Sequence, residues 1–180
     1  MTQNILNLIK EMRQYFPLGN LRWVKPDNSH ITLKFLGNVP LEGVDTLREA
    51  INITALNSFI CSVFIGGLGA YPSIDCPRTI WLSADPNQNL LDLYKNLNFK
   101  LDSSGFPKDN TTFKPHITLA RVSDKLPLHE VNAISSTLKT IKIQILGNTR
   151  FGAINLLKSD LARTGPTYTI LHTANLTPVP

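Results

Sequence analysis

One tetrapeptide occurs twice in the chain, and its two copies constrain the fold more than any other feature. His30-Ile31-Thr32-Leu33 recurs letter for letter as His116-Ile117-Thr118-Leu119. The chain has four histidines, and two of them would be followed by the same three residues by chance on the order of once in several hundred such sequences. The repeat therefore predicts a duplicated chain that carries one copy of the motif in each half.

The apolar periodicity around the two copies predicts the same order of elements in both halves: helix, strand, helix, strand, strand. One extra strand follows the second set, and residues 21–24 are a short strand candidate in the first half. In the first half it predicts helices over residues 2–16 and 40–53 and strands over residues 21–24, 30–36, 59–65 and 79–83. In the second half it predicts helices over residues 89–102 and 127–139 and strands over residues 116–122, 141–145, 151–157 and 167–176. The glycine-rich residues 66–69 are expected in a loop, together with residues 72–77.

These repeated elements predict an α+β fold with two pseudo-symmetric lobes around a central cleft. Each lobe is expected to be an antiparallel sheet with two helices. No low-complexity segment or long linker separates the halves, so we expect a single domain over residues 1–180, with pseudo-repeats of about residues 1–85 and 86–180. A chain of 180 residues is long enough to bury such a core.

The composition excludes several classes of protein. Apolar residues make up 42% and charged residues 17%, which is typical of a globular and not a disordered chain. No apolar run approaches the roughly 20 residues of a membrane helix, and the N-terminus lacks the pattern of a secretory signal. Two cysteines, Cys61 and Cys76, form neither a disulfide framework nor a four-ligand zinc site, which favours a reducing cytoplasm. The net charge of +5 favours an anionic partner such as a phosphate ester or nucleic acid.

The chemistry of the motif follows from its spacing. In a strand, the histidine and the threonine of H-x-T share a face, about 6.6 Å apart, while Ile31, Leu33 and Phe35 are expected to point into the core. An imidazole with the ordinary pKa of about 6.5 can give or take a proton near neutral pH. A threonine hydroxyl can donate a hydrogen bond to a phosphate oxygen. Two such strands predict in-line displacement at phosphorus, with one histidine activating the nucleophile and the other protonating the leaving oxygen.

Metal binding is the main rival to acid–base catalysis. Two histidines without a matched carboxylate or thiolate leave a zinc site short of ligands, so no metal is expected. His129 and His172 lack the following threonine and are interpreted as structural.

Four residues near the motifs are candidates for substrate binding. Lys34 shares the face of His30 and is suited to a backbone phosphate, although a solvated charge at a strand end is the alternative. Arg121 is an odd number of residues after His116, so in a regular strand its side chain would point to the opposite face. Strand twist would have to bring it to the phosphate. Phe113 and Trp23 are candidates for stacking on a terminal base, although aromatic residues are more often part of a core.

Longer matching segments surround the motifs, namely residues 22–26, 30–37, 78–82 and 113–121. On these segments the chain resembles the 2H phosphoesterase superfamily over nearly its whole length. Within that superfamily it is similar to the bacterial and archaeal RNA 2′,3′-cyclic phosphodiesterases, also called 2′-5′ RNA ligases. The resemblance implies a LigT-like fold and an enzyme that opens an RNA 2′,3′-cyclic phosphate to a 2′-phosphomonoester without metal or nucleotide cofactor.

The resemblance also implies roles for individual residues. His30 would protonate the departing 3′ oxygen and His116 would accept a proton from water, with Thr32 and Thr118 beside them. A ribose hydroxyl in place of water would make the same chemistry a reversible 2′-5′ ligation. The expected partner is an RNA end or oligonucleotide carrying a 2′,3′-cyclic phosphate, and the protein is expected to be a monomer without membrane association.

Two departures from the family pattern keep alternatives open. The family usually begins with a strand before its first helix, whereas this chain begins within that helix at Met1, so that strand is expected to be absent. Relatives often carry an arginine where this chain has Thr111, so a phosphate contact is expected to be lost. One alternative is a 2′-5′ oligonucleotide or small cyclic nucleotide phosphodiesterase with the same histidines. The other is an RNA-end binding protein with impaired catalysis.

Overall fold

The structure, a computed structural model, describes residues 2–16, 19, 21–108, 112–143, 146–162 and 165–179. Its helices are α1 Thr2–Tyr15, α2 Gly43–Leu56, α3 Gln88–Ser103 and α4 Leu128–Thr140. Its strands are β1 Leu21–Trp23, β2 Cys61–Pro72, β3 Pro77–Asp85, β4 His116–Val122, β5 Gly147–Phe151, β6 Ala153–Ala162 and β7 Gly165–Asn175. No helix in this described part of the chain combines the length and the apolar character needed to cross a bilayer.

The chain forms two compact units, and each unit takes three segments from along the sequence. The first unit contains α1, α4 and most of a five-stranded sheet, and it comprises Met1–Ile31, Phe64–Asp85 and Pro115–Thr149. The second unit contains α2, α3 and the antiparallel pair β6–β7, and it comprises Thr32–Val63, Pro86–Lys114 and Arg150–Pro180. The predicted α+β class, with sheet and helices in each lobe, is therefore confirmed. Each unit draws one of these helices from each half of the sequence.

Strand β4 lies inside the sheet of the first unit, whose strand order is β1-β4-β3-β2-β5. One edge of β4 pairs antiparallel with β3, and the other edge pairs antiparallel with β1. After β1 the chain leaves this second edge, forms a 3₁₀ turn over Pro26–Asn28, and returns at Ile31, which makes an isolated antiparallel bridge to Ile117. Proline suits the start of this turn because its missing N–H is not needed there.

The core of the first unit confirms the periodicity read from the sequence. Helix α1 buries Ile5, Leu8, Ile9 and Met12 of the predicted stripe, and Phe16, which follows the helix, is buried as well. Strand β3 buries Ile80 and Leu82, and β4 buries Ile117 and Leu119. The residues between them on β3, at positions 79, 81 and 83, are only half-buried. The sheet therefore has one face sealed in the core and one face that stays accessible.

Helices α2 and α3 pack on each other in the second unit, and α2 also contacts β6 and β7. Their buried residues include Leu47, Ile51, Leu93 and Leu97. His172 on β7 is bonded through Nε2 to Oδ1 of Asn52, at 2.7 Å, which agrees with a structural role. These elements form a second core that is separate in sequence from the segments of the first unit.

Two strand predictions and one loop prediction were wrong. Residues 30–36 form no strand beyond the bridge at Ile31, and Phe35 is 81% exposed instead of buried. No strand among the described residues pairs with residues 32–36, so the alternation of faces does not hold there. Residues 66–69 lie within β2 and not in a loop, because Gly67, with φ of 77°, accommodates a bulge between Ile65 and Leu68. Residues 141–143 form no strand, and the prediction for residues 144–145 lies outside the described residues.

Candidate active site

The two motif copies pair with each other at their second residue. Ile31 bridges Ile117 in an antiparallel sense, so a local two-fold relation holds between the copies at this point. This register places His30 opposite Thr118, with Cβ atoms about 4.5–5.5 Å apart in such pairs. His116 is then the diagonal neighbour of His30, at roughly 7–8 Å. Ile117 is buried and Ile31 is half-buried, so regular pairing around this bridge would put the three polar residues on the other, accessible face of the first unit.

His30 is oriented by a backbone carbonyl. Its Nδ1 lies 2.7 Å from the carbonyl oxygen of Asn28, in the 3₁₀ turn that precedes it. A carbonyl oxygen can only accept, so Nδ1 is the donor and carries a proton. The remaining nitrogen, Nε2, is therefore the atom at which His30 can give or take a proton. The ring is half-buried.

His116 is surrounded by aromatic rings. It opens β4 opposite Ser83 of β3, and it is also half-buried. Its ring centroid lies 5.2 Å from that of Tyr71 on β2 and 5.7 Å from that of Trp81 on β3. The Tyr71 and Trp81 rings are themselves 5.2 Å apart. Three neighbouring strands thus each contribute one ring to a single cluster.

Arg121 reaches the face of the histidines through a bulge. On β3, positions 79, 81 and 83 share one face, and they pair with Arg121, Thr118 and His116, respectively. The register shifts between Ile80 and Trp81, so β4 carries one extra residue between Thr118 and Arg121. That extra residue reverses the parity, which explains why Arg121 is exposed while Val122 is buried. The strand twist expected from the sequence is therefore not what brings Arg121 to this face.

Arg22 on β1 stands directly opposite Arg121, and both side chains are exposed. Like charges directly opposite each other destabilise an antiparallel pair. Among the described residues, neither guanidinium lies in an ion pair. An anion bound between the two arginines would remove their repulsion, which makes this pair a candidate phosphate contact.

Trp23 faces away from the histidines. It alternates with Arg22 on β1 and shares the buried side of Leu21. Its ring meets Phe16 edge-on at 6.1 Å, and the guanidinium carbon of Arg13 lies 5.9 Å from its centroid. These contacts join β1 to α1, so the structure gives Trp23 a packing role.

The other predicted site residues belong to the second unit, which begins at Thr32. There the Nζ of Lys34 donates to Oδ1 of Asn98 at 3.1 Å and to the carbonyl oxygen of Pro107 at 2.7 Å. Phe113 stacks on Tyr94 with centroids 4.0 Å apart. The prediction for Thr111 lies outside the described residues.

Sequence reasoning missed Arg22, Tyr71 and Trp81 as members of this face. Arg22 and Trp81 lie in segments that carry the family resemblance, which is the one signal that pointed to them. Their alignment with His116 depends on strand pairing, which the sequence does not display. The face also includes Gly69, which pairs with Trp81.

Other reactive groups do not suggest a second chemistry. Burial raises the pKa of the Cys61 thiol from 9.0 to about 11, so this thiol is a poor nucleophile near neutral pH. Cys76 is exposed, and both thiols are free. Within the described ranges, no group of three or more histidine, cysteine, aspartate or glutamate side chains is placed to hold a metal ion.

Comparisons with known proteins agree with this architecture. The RNA 2′,3′-cyclic phosphodiesterase of Methanocaldococcus jannaschii is 29% identical over 169 residues, which are 94% of this chain and 92% of that protein. The RNA 2′,3′-cyclic phosphodiesterase of Thermotoga maritima is 30% identical over 152 residues, which are 83% of this chain and 76% of that protein. The crystal structure of E. coli LigT complexed with 3′-AMP superposes with a TM-score of 0.73 at 27% identity, covering 97% of this chain and 92% of that one. A model of the LigT-like phosphoesterase family matches twice, over residues 1–81 and over residues 80–168, and the chain therefore belongs to that family.

Proposed function

We propose that this protein hydrolyses 2′,3′-cyclic phosphate ends of RNA to 2′-phosphomonoesters, with His30 as the acid and His116 as the base. The observation that carries the proposal is the antiparallel bridge between Ile31 and Ile117, since regular pairing around it would bring both imidazoles to one face. Membership of the phosphoesterase family and the activity named for its relatives support the same reaction.

In the proposed reaction, His116 takes a proton from a water molecule, whose oxygen forms a new bond to phosphorus. The bond between phosphorus and the 3′ oxygen breaks, and Nε2 of His30 gives its proton to that oxygen. The products are a 3′-hydroxyl and a 2′-phosphate, and one water has been consumed. The carbonyl of Asn28 supports this role for His30, because it holds the ring with Nε2 as the exchanging atom.

Charge that develops on the non-bridging oxygens needs donors in fixed positions. Regular pairing around the Ile31–Ile117 bridge would put Thr118 opposite His30, and Thr118 is proposed to donate its hydroxyl to one of these oxygens. Thr32 is its counterpart in the other motif copy, and we propose the same role for it on that ground. Arg121 and Arg22 are proposed to bind phosphate charge, because they pair across β1 and β4 and both side chains are exposed.

For the second unit, the proposals rest on the sequence. Lys34 is proposed to contact a backbone phosphate further along the RNA, and Phe113 to stack on a base. Trp23 is left out because its ring packs on Phe16. The reverse step, in which a ribose hydroxyl replaces water, would join RNA ends through a 2′-5′ linkage.

We further propose that the protein acts as a monomer in the cytoplasm. The two free cysteines are consistent with a reducing compartment. The alternative substrates, 2′-5′ oligonucleotides and small cyclic nucleotides, would use the same histidines. A panel of these substrates at equal concentration distinguishes them from RNA cyclic phosphate ends.

The test is turnover of a nucleoside 2′,3′-cyclic phosphate and of an oligonucleotide ending in one, with the product isomer identified. His30→Ala and His116→Ala are each expected to lower the rate about 10²- to 10⁴-fold. His129→Ala is the matched control, since His129 is exposed on α4 outside the motif, and it is expected to keep full activity. A 3′-phosphate product, or full activity in either motif variant, would contradict the proposal. Oligonucleotide binding without turnover in the wild-type protein would favour the RNA-end binding alternative.

A further inference from the structure

Three aromatic rings form a cluster on the accessible face, and His116 is one of them. Tyr71 of β2, Trp81 of β3 and His116 of β4 make three mutual contacts, with centroids 5.2–5.7 Å apart. The ring planes are inclined to one another by 36° to 70°. Rings packed at such angles restrict one another's rotation more than parallel stacked rings do. The orientation of the imidazole is therefore tied to the orientation of its two neighbours.

Trp81 itself is seated on a glycine. Gly69 pairs with Trp81 across β2 and β3, and it is buried. A Cβ added at Gly69 would overlap three atoms of the six-membered indole ring. The ring thus lies across the backbone of β2, in space that any other residue at position 69 would fill. Because Gly69 has no side chain, the indole can approach the backbone of β2 closely. In this position the indole ring contacts the imidazole of His116.

The indole N–H of Trp81 lowers the free energy of unfolding. Its Nε1 is buried, and among the described residues it has no hydrogen-bond partner. A buried donor without an acceptor destabilises the folded state. Phenylalanine would provide an aromatic ring at this place without the orphaned N–H, so Trp81→Phe separates the effect of the ring from that of the N–H.

We propose that Trp81, seated on Gly69 and braced by Tyr71, is a positioning residue for His116. It holds the imidazole in the orientation from which His116 takes the proton of the attacking water. The proposal rests on the proposed function for its catalytic consequence, but the effect on the ring of His116 is independent of the substrate. His30 reaches the same end by a different contact, the hydrogen bond from Nδ1 to the carbonyl of Asn28.

The experiment compares Trp81→Leu, Trp81→Phe and Gly69→Ala with the wild-type protein. Trp81→Leu removes the rigid ring, and we expect kcat for a nucleoside 2′,3′-cyclic phosphate to fall about 10- to 100-fold while KM changes less than about threefold. Gly69→Ala is expected to lower kcat similarly, because it displaces the indole without removing any group near His116. Trp81→Phe is expected to restore most of the activity. Phe16→Leu, which removes a ring from the core below β1, is the control for stability and is expected to keep kcat.

A second readout separates positioning from a general loss of structure. Imidazole NMR signals of His116 report its tautomer and its ring motion in the absence of substrate. We expect signals of one ring orientation in the wild-type protein and in Trp81→Phe, and signals averaged by ring motion in Trp81→Leu and Gly69→Ala. Signals of His30 are expected to stay unchanged in all of them. Tyr71→Leu is measured in parallel, and we expect a smaller change of the His116 signals in the same direction. The result then does not depend on the folding of one variant.

Two outcomes would overturn the proposal. The first is Trp81→Leu that folds and keeps kcat within threefold of the wild-type value. The second is a lower kcat with unchanged His116 signals, which would mean that Trp81 acts on the substrate and not on the histidine. If the wild-type protein hydrolyses no cyclic phosphate, the proposed function fails, and the His116 signals still decide whether Trp81 orients the ring.

Discussion

The two copies of His-Ile-Thr-Leu have identical sequences and different structures. The copy at residues 116–119 lies in β4, which is paired along both edges. The copy at residues 30–33 makes a single bridge, at Ile31, and then continues without strand pairing among the described residues. Four identical residues therefore do not determine whether a strand forms, since neighbouring strands decide it.

The histidines of the two copies also differ in how they are oriented. His30 is held by a hydrogen bond to the carbonyl of Asn28, which fixes the protonated nitrogen. His116 lies against the rings of Tyr71 and Trp81. The hydrogen bond from Nδ1 selects one tautomer of His30, and the neighbouring rings restrict the orientation of His116, so the two copies use different neighbours to orient their histidines.

The largest expected effect tests this difference in role. A general acid must be protonated and a general base deprotonated, so the acid causes the loss of activity at high pH and the base the loss at low pH. His30→Ala is expected to leave a residual rate that no longer declines toward high pH, and His116→Ala one that no longer declines toward low pH. The measurement is the pH dependence of kcat/KM for each variant against wild type. If His30→Ala instead removed the decline at low pH and His116→Ala the decline at high pH, the proposed roles of acid and base would be exchanged.

A second comparison concerns the bridging isoleucines, which have the same position in each copy. Ile117 is 0% exposed in β4, so Ile117→Ala is expected to lower the free energy of unfolding by about 2–5 kcal/mol. Ile31 is only half-buried, so Ile31→Ala is expected to cost about 1 kcal/mol. Urea denaturation of both variants measures the difference. Equal losses would mean that the first copy is as well packed as the second.

The sequence did not predict this difference, because its apolar alternation indicated a strand for both copies. Helix positions and β4 followed from apolar periodicity, because each of these elements buries one side along its own length. Residues 30–36 show the same alternation as β4, yet beyond the bridge at Ile31 they pair with no strand in the part of the chain that the structure describes, and pairing is not local information. The bulge that turns Arg121 to the face of His116 and the contact of Trp81 with Gly69 are likewise set by strand register, which no short segment encodes.

The threonines give a third comparison, with an intermediate expected effect. Thr118→Val keeps the shape of the side chain and removes the hydroxyl that is proposed to donate to a phosphate oxygen. The loss of one such bond to a charged group is expected to lower kcat about 10- to 100-fold. Thr32→Val is expected to have an effect of the same size if the two copies act symmetrically. An unchanged rate in Thr32→Val, with a loss in Thr118→Val, would restrict the hydroxyl role to the second copy.

The smallest expected effect concerns the fifth position after each histidine, which is Phe35 in the first copy and Arg121 in the second. Both are exposed, although strict alternation from the neighbouring core position would bury them. Phe35→Ser is therefore expected to change the free energy of unfolding by no more than about 0.5 kcal/mol. Leu119→Ala, at a fully buried position of the second copy, is the control and is expected to cost about 2–5 kcal/mol. A loss of several kcal/mol in Phe35→Ser would mean that the ring is buried in solution, and that the first copy continues as a strand beyond its bridge after all.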